Sequence, residues 1–229
     1  MNLGPALVIF ARAPMPGAVK TRLAPLLGPG RAAELYRRFL LDVLAQASRA
    51  AAAVIAAAAE AEGVEAVGAL AAAACPRASV TVQCGGDLGA RMSSAVRQAL
   101  DLGHCPVVVL GSDAPALPAS RIEEALRLST EYDVVLGPCF DGGYYLVGLR
   151  AHYPAVFTGI PWSTDAVLVE TLRRARESGA SVRLLEPWFD VDTPDDLARL
   201  RRYLLALSTA GCEIPCPQTW EYLSGLPWE

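Results

Sequence analysis

Lysine and arginine in a loop shaped by proline and glycine suit oxyanions, and aspartates at strand ends suit divalent cations. Both occur here. The stretch Phe10–Pro25, FARAPMPGAVKTRLAP, follows the apolar run ALVIF and carries Arg12, Lys20 and Arg22, with Arg31 soon after and Glu34 as the next acid. Lysine offers a mobile point charge and arginine a bidentate fork, so Lys20 and Arg22 match phosphate oxygens. The phosphate-loop pattern G-x-x-x-x-G-K-[ST] fails, because Val19 stands before Lys20. Taken alone, a solvated surface loop accounts for these cations as well.

Acidic counterparts lie further along. In VVVLGSDAP, Asp113 lies just past a buried run, and Pro115 turns the next segment away from helix. Asp113 there can hold a metal on a phosphate or bond turn amides. In WFDVDTPDDL, Asp190 and Asp192 alternate and should point the same way in an extended segment. A pair formed by Asp113 and Asp192 would leave several positions on Mg²⁺ (or Mn²⁺) for water and phosphate. CGGDLGARM places adjacent glycines before a helix, as an ordinary turn or as room for a flat ligand. GPCFDGGYYLVGL reads as two strands about Asp141-Gly142-Gly143, with Tyr144 lining a pocket or simply filling a strand face.

Those loops need a frame. Short β-branched runs alternate with amphipathic stretches. Strands are expected near 7–11, 54–57, 79–83, 106–110, 133–137, 144–149 and 182–185. Helices are expected near 31–49, 62–73, 90–101, 121–129, 164–178 and 194–207. Leu35, Phe39, Val43 and Ala47 share one helical face. Thr193 before Pro194, Asp195 and Asp196 marks a helix start. The alternation predicts one three-layer α/β/α domain over 1–229 with a mostly parallel mixed sheet, ending in an irregular tail at 209–229. Ligands of such folds bind beyond the carboxyl ends of the strands, where the charged loops fall.

Composition limits the alternatives. The chain has 229 residues, is 53% hydrophobic and 19% charged, and carries a net charge of −4, so a large core forms and a broad basic surface for nucleic acid is absent. No apolar run reaches membrane-spanning length, and MNLGPALVIF lacks a basic leader, so a cytoplasmic location is expected. The six cysteines are scattered and read as structural thiols, and Cys212-x3-Cys216 lacks a second metal-ligand pair. Trp220, Tyr222 and Trp228 in the tail either cover the core or form a homodimer contact.

FARAPMPGAVKTRLAP, GGDLGARM, GSDAPAL, GPCFDGGYYLVGL, GIPWST and DVDTPDDL appear in order over residues 10–197. This pattern resembles a bacterial family of glycosyltransferase-A-like transferases, named as radical-SAM/selenodomain-associated or arsenosugar-biosynthesis glycosyltransferase-like. The family lies within the nucleotide-diphospho-sugar transferase superfamily. VKTRLAP and FDGGYYLVGL are also similar to the phosphate loop and acceptor hairpin of 2-phospholactate guanylyltransferases. The resemblance implies that Arg12, Lys20 and Arg22 meet phosphates, with Lys20, Arg22 and Asp113 catalytic. It places Gly86, Asp87, Leu88 and Arg91 near base or ribose. Asp113 and Asp192 would hold the metal, and Asp141, Gly142, Gly143 and Tyr144 would face a small-molecule acceptor. The first loop departs from the G-G-x-G-x-R core of sugar nucleotidyltransferases, and GSDAP departs from the D-x-D of many glycosyltransferases. Glycosyl transfer from a nucleotide sugar ranks first on the family resemblance. Transfer of a nucleotidyl group from an NTP comes second, and a non-catalytic nucleotide-binding protein third.

Overall fold

The computed structural model describes residues 3–226. Seven strands form one sheet in the order β3-β2-β1-β4-β6-β5-β7. They are β1 (Gly4–Ala11), β2 (Ala53–Ala58), β3 (Ser79–Val82), β4 (His104–Gly111), β5 (Val134–Pro138), β6 (Tyr144–Leu149) and β7 (Val182–Leu184). The pairs β1–β2, β2–β3, β1–β4 and β5–β7 are parallel, and β6 runs antiparallel to both β4 and β5. The sheet is therefore mostly parallel and mixed.

Among the described residues, eight α-helices accompany it: α1 (Ala24–Leu27), α2 (Pro29–Arg49), α3 (Val64–Ala74), α4 (Leu88–Asp101), α5 (Ala119–Leu128), α6 (Val167–Glu177), α7 (Pro194–Thr209) and α8 (Pro217–Ser224). Side-chain alternation splits β1 between two cores. Leu7, Ile9 and Ala11 pack with α2, α3 and α5, while Ala6 and Val8 pack with α4 and α6. A strand covered on both faces reads as an unbroken apolar run, which is the look of ALVIF and VVVL. These are the three layers.

The predicted face of α2 is buried at Leu35, Phe39, Val43 and Ala47. That face is shared between two cores: Val43 and Ala47 pack towards the sheet, while Leu35 and Phe39 join Leu200 and Leu204 of α7 and Leu223 of α8 in a third core. The expectation of an irregular tail is corrected here: Pro217–Ser224 is helical, and Trp220 and Tyr222 pack on this third core. Trp228 lies outside the described residues. Asp42, buried in α2, accepts bonds from the backbone N–H of Gln218 (3.1 Å) and Thr219 (2.8 Å), supplying the acceptor that the start of α8 lacks.

The helix start at Thr193 is a reciprocal capping box with Asp196. No helix among the described residues is long and apolar enough to cross a membrane.

Candidate active site

The strand order reverses between β1 and β4, and a cleft of about 740 Å³ opens beyond their carboxyl ends. A void of that size takes a nucleotide-sized ligand, and this position is where open α/β sheets bind them. The walls include Arg12, Lys20, Arg22, Leu88, Arg91, Asp113, Asp141, Gly143, Tyr144 and Asp192. Gly86, Asp87 and Gly142 lie outside the lining.

Backbone bonds explain why distant aspartates meet. The N–H of Val191 donates to the carbonyl of Asp113 (2.9 Å), tying the loop after β4 to the segment before α7. Parallel pairing of β5 with β7 continues past the strand ends through Leu185 to Leu136 and Trp188 to Pro138, at 2.9 Å each. Cys139 then forms a bridge with Trp188. Asp113, Asp192, Asp190 and Cys139 are thereby gathered at one end of the sheet, and all four line the cleft.

Lys20 sits at the centre of this acidic wall. Its side chain is 2% exposed, and Nζ donates to Oδ1 of Asp113 (2.5 Å), Oδ1 of Asp192 (2.8 Å) and the carbonyl of Val191 (2.8 Å). Burial alone would lower its pKa, but the two carboxylates outweigh burial and raise it, so the ammonium stays charged. The floor beneath is aromatic, with Tyr36 and Phe39 ring centres at 5.9 and 5.4 Å from Nζ. The Tyr36 hydroxyl pairs with Ser112 Oγ (2.8 Å) and accepts from the Arg12 N–H (2.9 Å), clamping the first loop to the end of β4. Lys20 has φ of +47° and Ser163, across the cleft, +67°. Non-glycine residues held in the left-handed region concentrate where function dictates backbone shape.

Arg12 and Arg22 are exposed, and Arg91 is half-buried. Among the described residues neither the Arg12 nor the Arg22 guanidinium has an ion-pair partner, and both face the cleft. The lining holds four cations (Arg12, Lys20, Arg22, Arg91) against five carboxylates (Asp113, Asp141, Asp165, Asp190, Asp192). An anionic ligand would enter a cleft already net negative, unless a divalent cation came with it. The Oδ1 atoms of Asp113 and Asp192 converge on a single cation, and hard oxygens in that arrangement fit Mg²⁺ or Mn²⁺.

Several other candidate residues are structurally engaged. Asp87 caps α4 by accepting from the Ala90 N–H (2.7 Å). A Cβ on Gly142, where φ is +90°, would stand 2.1 Å from the Asp165 carbonyl, so this glycine closes the hairpin onto the loop before α6. A Cβ on Gly89 would stand 2.8 Å from the Trp162 ring, so α4 is grooved to seat that indole. Trp162 packs edge-on against Tyr144 at 6.3 Å and lines the cleft. GIPWST carried Trp162 and Ser163, but nothing in their residue types marks them as wall.

Tyr36 was hidden on a helix face and Cys139 among scattered thiols. His152 bonds Ser93 (2.9 Å), and neither residue lines the cleft.

With that geometry in place, relatives are informative. The family described as "Uncharacterized protein conserved in bacteria (DUF2064)" matches residues 40–164. The chain belongs to this family. It is 30% identical over 187 residues to the 3-phospho-D-glycerate guanylyltransferase of Phenylobacterium zucineum (strain HLK1), covering 80% of this chain and 84% of that one. The 2-phospho-L-lactate guanylyltransferase of Methanoculleus marisnigri is 28% identical over 112 residues, 48% of this chain and 49% of the relative. A solved chain from Desulfovibrio desulfuricans G20, named as a candidate nucleotide-diphospho-sugar transferase, superposes with a TM-score of 0.87 at 36% identity, covering 98% of this chain and 95% of that one. The protein is a nucleotide-using transferase of the nucleotide-diphospho-sugar transferase superfamily.

Proposed function

We propose that the protein is a nucleotidyltransferase joining a nucleoside triphosphate, with GTP the first candidate, to a phosphorylated small acid. An acceptor phosphate oxygen attacks the α-phosphorus, the bond to the bridging β-oxygen breaks, and pyrophosphate leaves. The observation that carries this is the 30% identity to a guanylyltransferase across 84% of that enzyme's length. The two unpaired arginines on the first loop support it, since a triphosphate brings more negative charge than a diphosphate. The family resemblance alone puts glycosyl transfer first; the names of the curated relatives support nucleotidyl transfer, and we rank it first on that ground.

In this reading Arg12 and Arg22 grip the β- and γ-phosphates, and Lys20 and Arg22 stabilise charge as the leaving group departs. Leu88 and Arg91 flank the base and ribose, with Gly86 and the Asp87 cap shaping the turn behind them, and Asp141, Gly143 and Tyr144 face the acceptor, with Gly142 shaping their turn. Asp113 and Asp192 would hold Mg²⁺ or Mn²⁺, which would supply Lewis-acid neutralisation of the phosphates. No protein nucleophile is required.

A thermal-shift panel tests the reading, setting GTP, CTP, UTP and ATP against UDP-, GDP-, dTDP- and CDP-sugars with and without Mg²⁺. A ligand at about 100 times its dissociation constant adds about 2.7 kcal/mol, about 5–10 °C for a domain of this size. The expected result is a Mg²⁺-dependent shift with one triphosphate. A shift with one nucleotide sugar and no triphosphate would support the second reading, glycosyl transfer, which the name given to the Desulfovibrio chain favours.

A further inference from the structure

Lys20 neutralises only part of the acidic wall. It is bonded to Asp113 and Asp192, while Asp141 and Asp190 have no ion-pair partner among the described residues. Beside them lies the Cys139 thiol. One ligand atom from each of Cys139, Asp141 and Asp190 lies within 4.8 Å of the other two. A tetrahedral ion with one sulfur and two oxygen ligands needs about 3.5 Å between ligand atoms, from metal–ligand bonds of about 2.0–2.3 Å. Small side-chain rotations cover the difference.

The thiol is an independent sign. Cys139 is 8% exposed and lines the cleft, and its thiol has no hydrogen-bond partner among the described residues. The arrangement also has a local cause. The Cys139–Trp188 bridge fixes the two backbones side by side, and the turn bonded from Gly143 N–H to Asp141 Oδ1 (2.9 Å) brings the third ligand back over them.

We propose that Cys139, Asp141 and Asp190 form a second divalent-cation site, separate from the Asp113–Asp192 pair, that takes a borderline ion such as Zn²⁺ in preference to Mg²⁺. Sulfur selects the softer ion, whereas the all-oxygen pair beside it suits the harder one. On binding, the thiol proton passes to solvent and the thiolate becomes a ligand. The site stands whichever nucleotide the cleft uses.

Cobalt(II) is the probe for Zn²⁺. Titrated into the full chain with excess Mg²⁺, it should give a sulfur-to-cobalt charge-transfer band at one ion per chain. Cys139→Ser should abolish the band in a chain that still melts in one cooperative transition. Cys84→Ser and Cys212→Ser, at the exposed thiols, should keep it. Asp141→Asn and Asp190→Asn should each weaken cobalt binding by about 100-fold or more, given that losing even an outer partner costs about 10–100-fold. No band at saturating cobalt, or a band that survives Cys139→Ser, would overturn the proposal. If Cys139→Ser does not fold, the two Asn variants decide, and unchanged cobalt affinity in both overturns it.

Discussion

Lys20 is the residue on which the site turns. Its ammonium occupies the point on which Asp113 and Asp192 converge, so a divalent ion held there as proposed would compete with the lysine for the same two oxygens. Lys20→Met should therefore tighten Mg²⁺ binding in calorimetry while lowering kcat by about 100-fold or more, the usual loss when a charge-stabilising donor is removed. Unchanged Mg²⁺ affinity would mean that the lysine does not guard the metal position. Arg22→Ala should leave the melting temperature unchanged, because the side chain is exposed, and weaken triphosphate binding by about 10–100-fold, the worth of a charged hydrogen bond of about 1.5–3 kcal/mol. An equal loss of affinity for the uncharged nucleoside would contradict a phosphate role. Lys20, Asp113 and Asp192 were each legible as charged residues at strand ends. Their mutual ion pairs were not, since Lys20 is 93 residues from one partner and 172 from the other. Cys139 was illegible for a different reason: a single thiol in a strand-end run reads as core until the Trp188 segment is laid beside it.

At the scale of elements, legibility follows where an element finds its partners. The buried strands and α2 were readable from apolar runs and periodicity, and α7 from its own cap at Thr193. The helix α8 was not, because its N-cap, Cys216, provides no side-chain acceptor and the acceptor comes from Asp42 in α2. Asp42→Ala would leave the buried Thr219 amide and the half-buried Gln218 amide unpaired, a cost of about 1–3 kcal/mol, and should lower the melting temperature by about 2–4 °C per kcal/mol. An unchanged melting temperature would show that α8 is held by its apolar face alone. A second anchor joins the start of β5 to the turns after β6 and before β7. Asp133 accepts from Arg150 Nε (2.7 Å), Tyr153 Oη (2.5 Å), Ser181 N–H (2.8 Å) and Ser181 Oγ (2.6 Å). Bonds from Ser181, then Tyr153, hold its carboxyl well below the usual range. A depressed carboxylate contributes stability above its unfolded pKa of about 3.9, and that contribution is lost as pH falls. Asp133→Asn should thus cost about 2 kcal/mol near neutral pH, with the gap to the parent narrowing below about pH 4. A gap independent of pH would assign the loss to packing.

For the whole molecule, the alternation of strands and helices predicted the layered sheet, and the charged loops were expected beyond its strand ends, where the cleft lies. Residue types alone could not fix the reaction. Glycosyl and nucleotidyl transfer ask the same groups for the same service, which is to hold phosphates opposite carboxylates, and differ in which atom of the donor is attacked. That choice depends on where a bound ligand's phosphorus and sugar carbon fall against the acceptor, and the chain's own atoms do not specify it. The most direct measurement is of the leaving group. The protein, Mg²⁺, each triphosphate in turn and a set of phosphorylated three-carbon acids should yield pyrophosphate in step with consumption of one acceptor. Release of a nucleoside diphosphate from a nucleotide sugar, with no pyrophosphate from any triphosphate, would contradict nucleotidyl transfer.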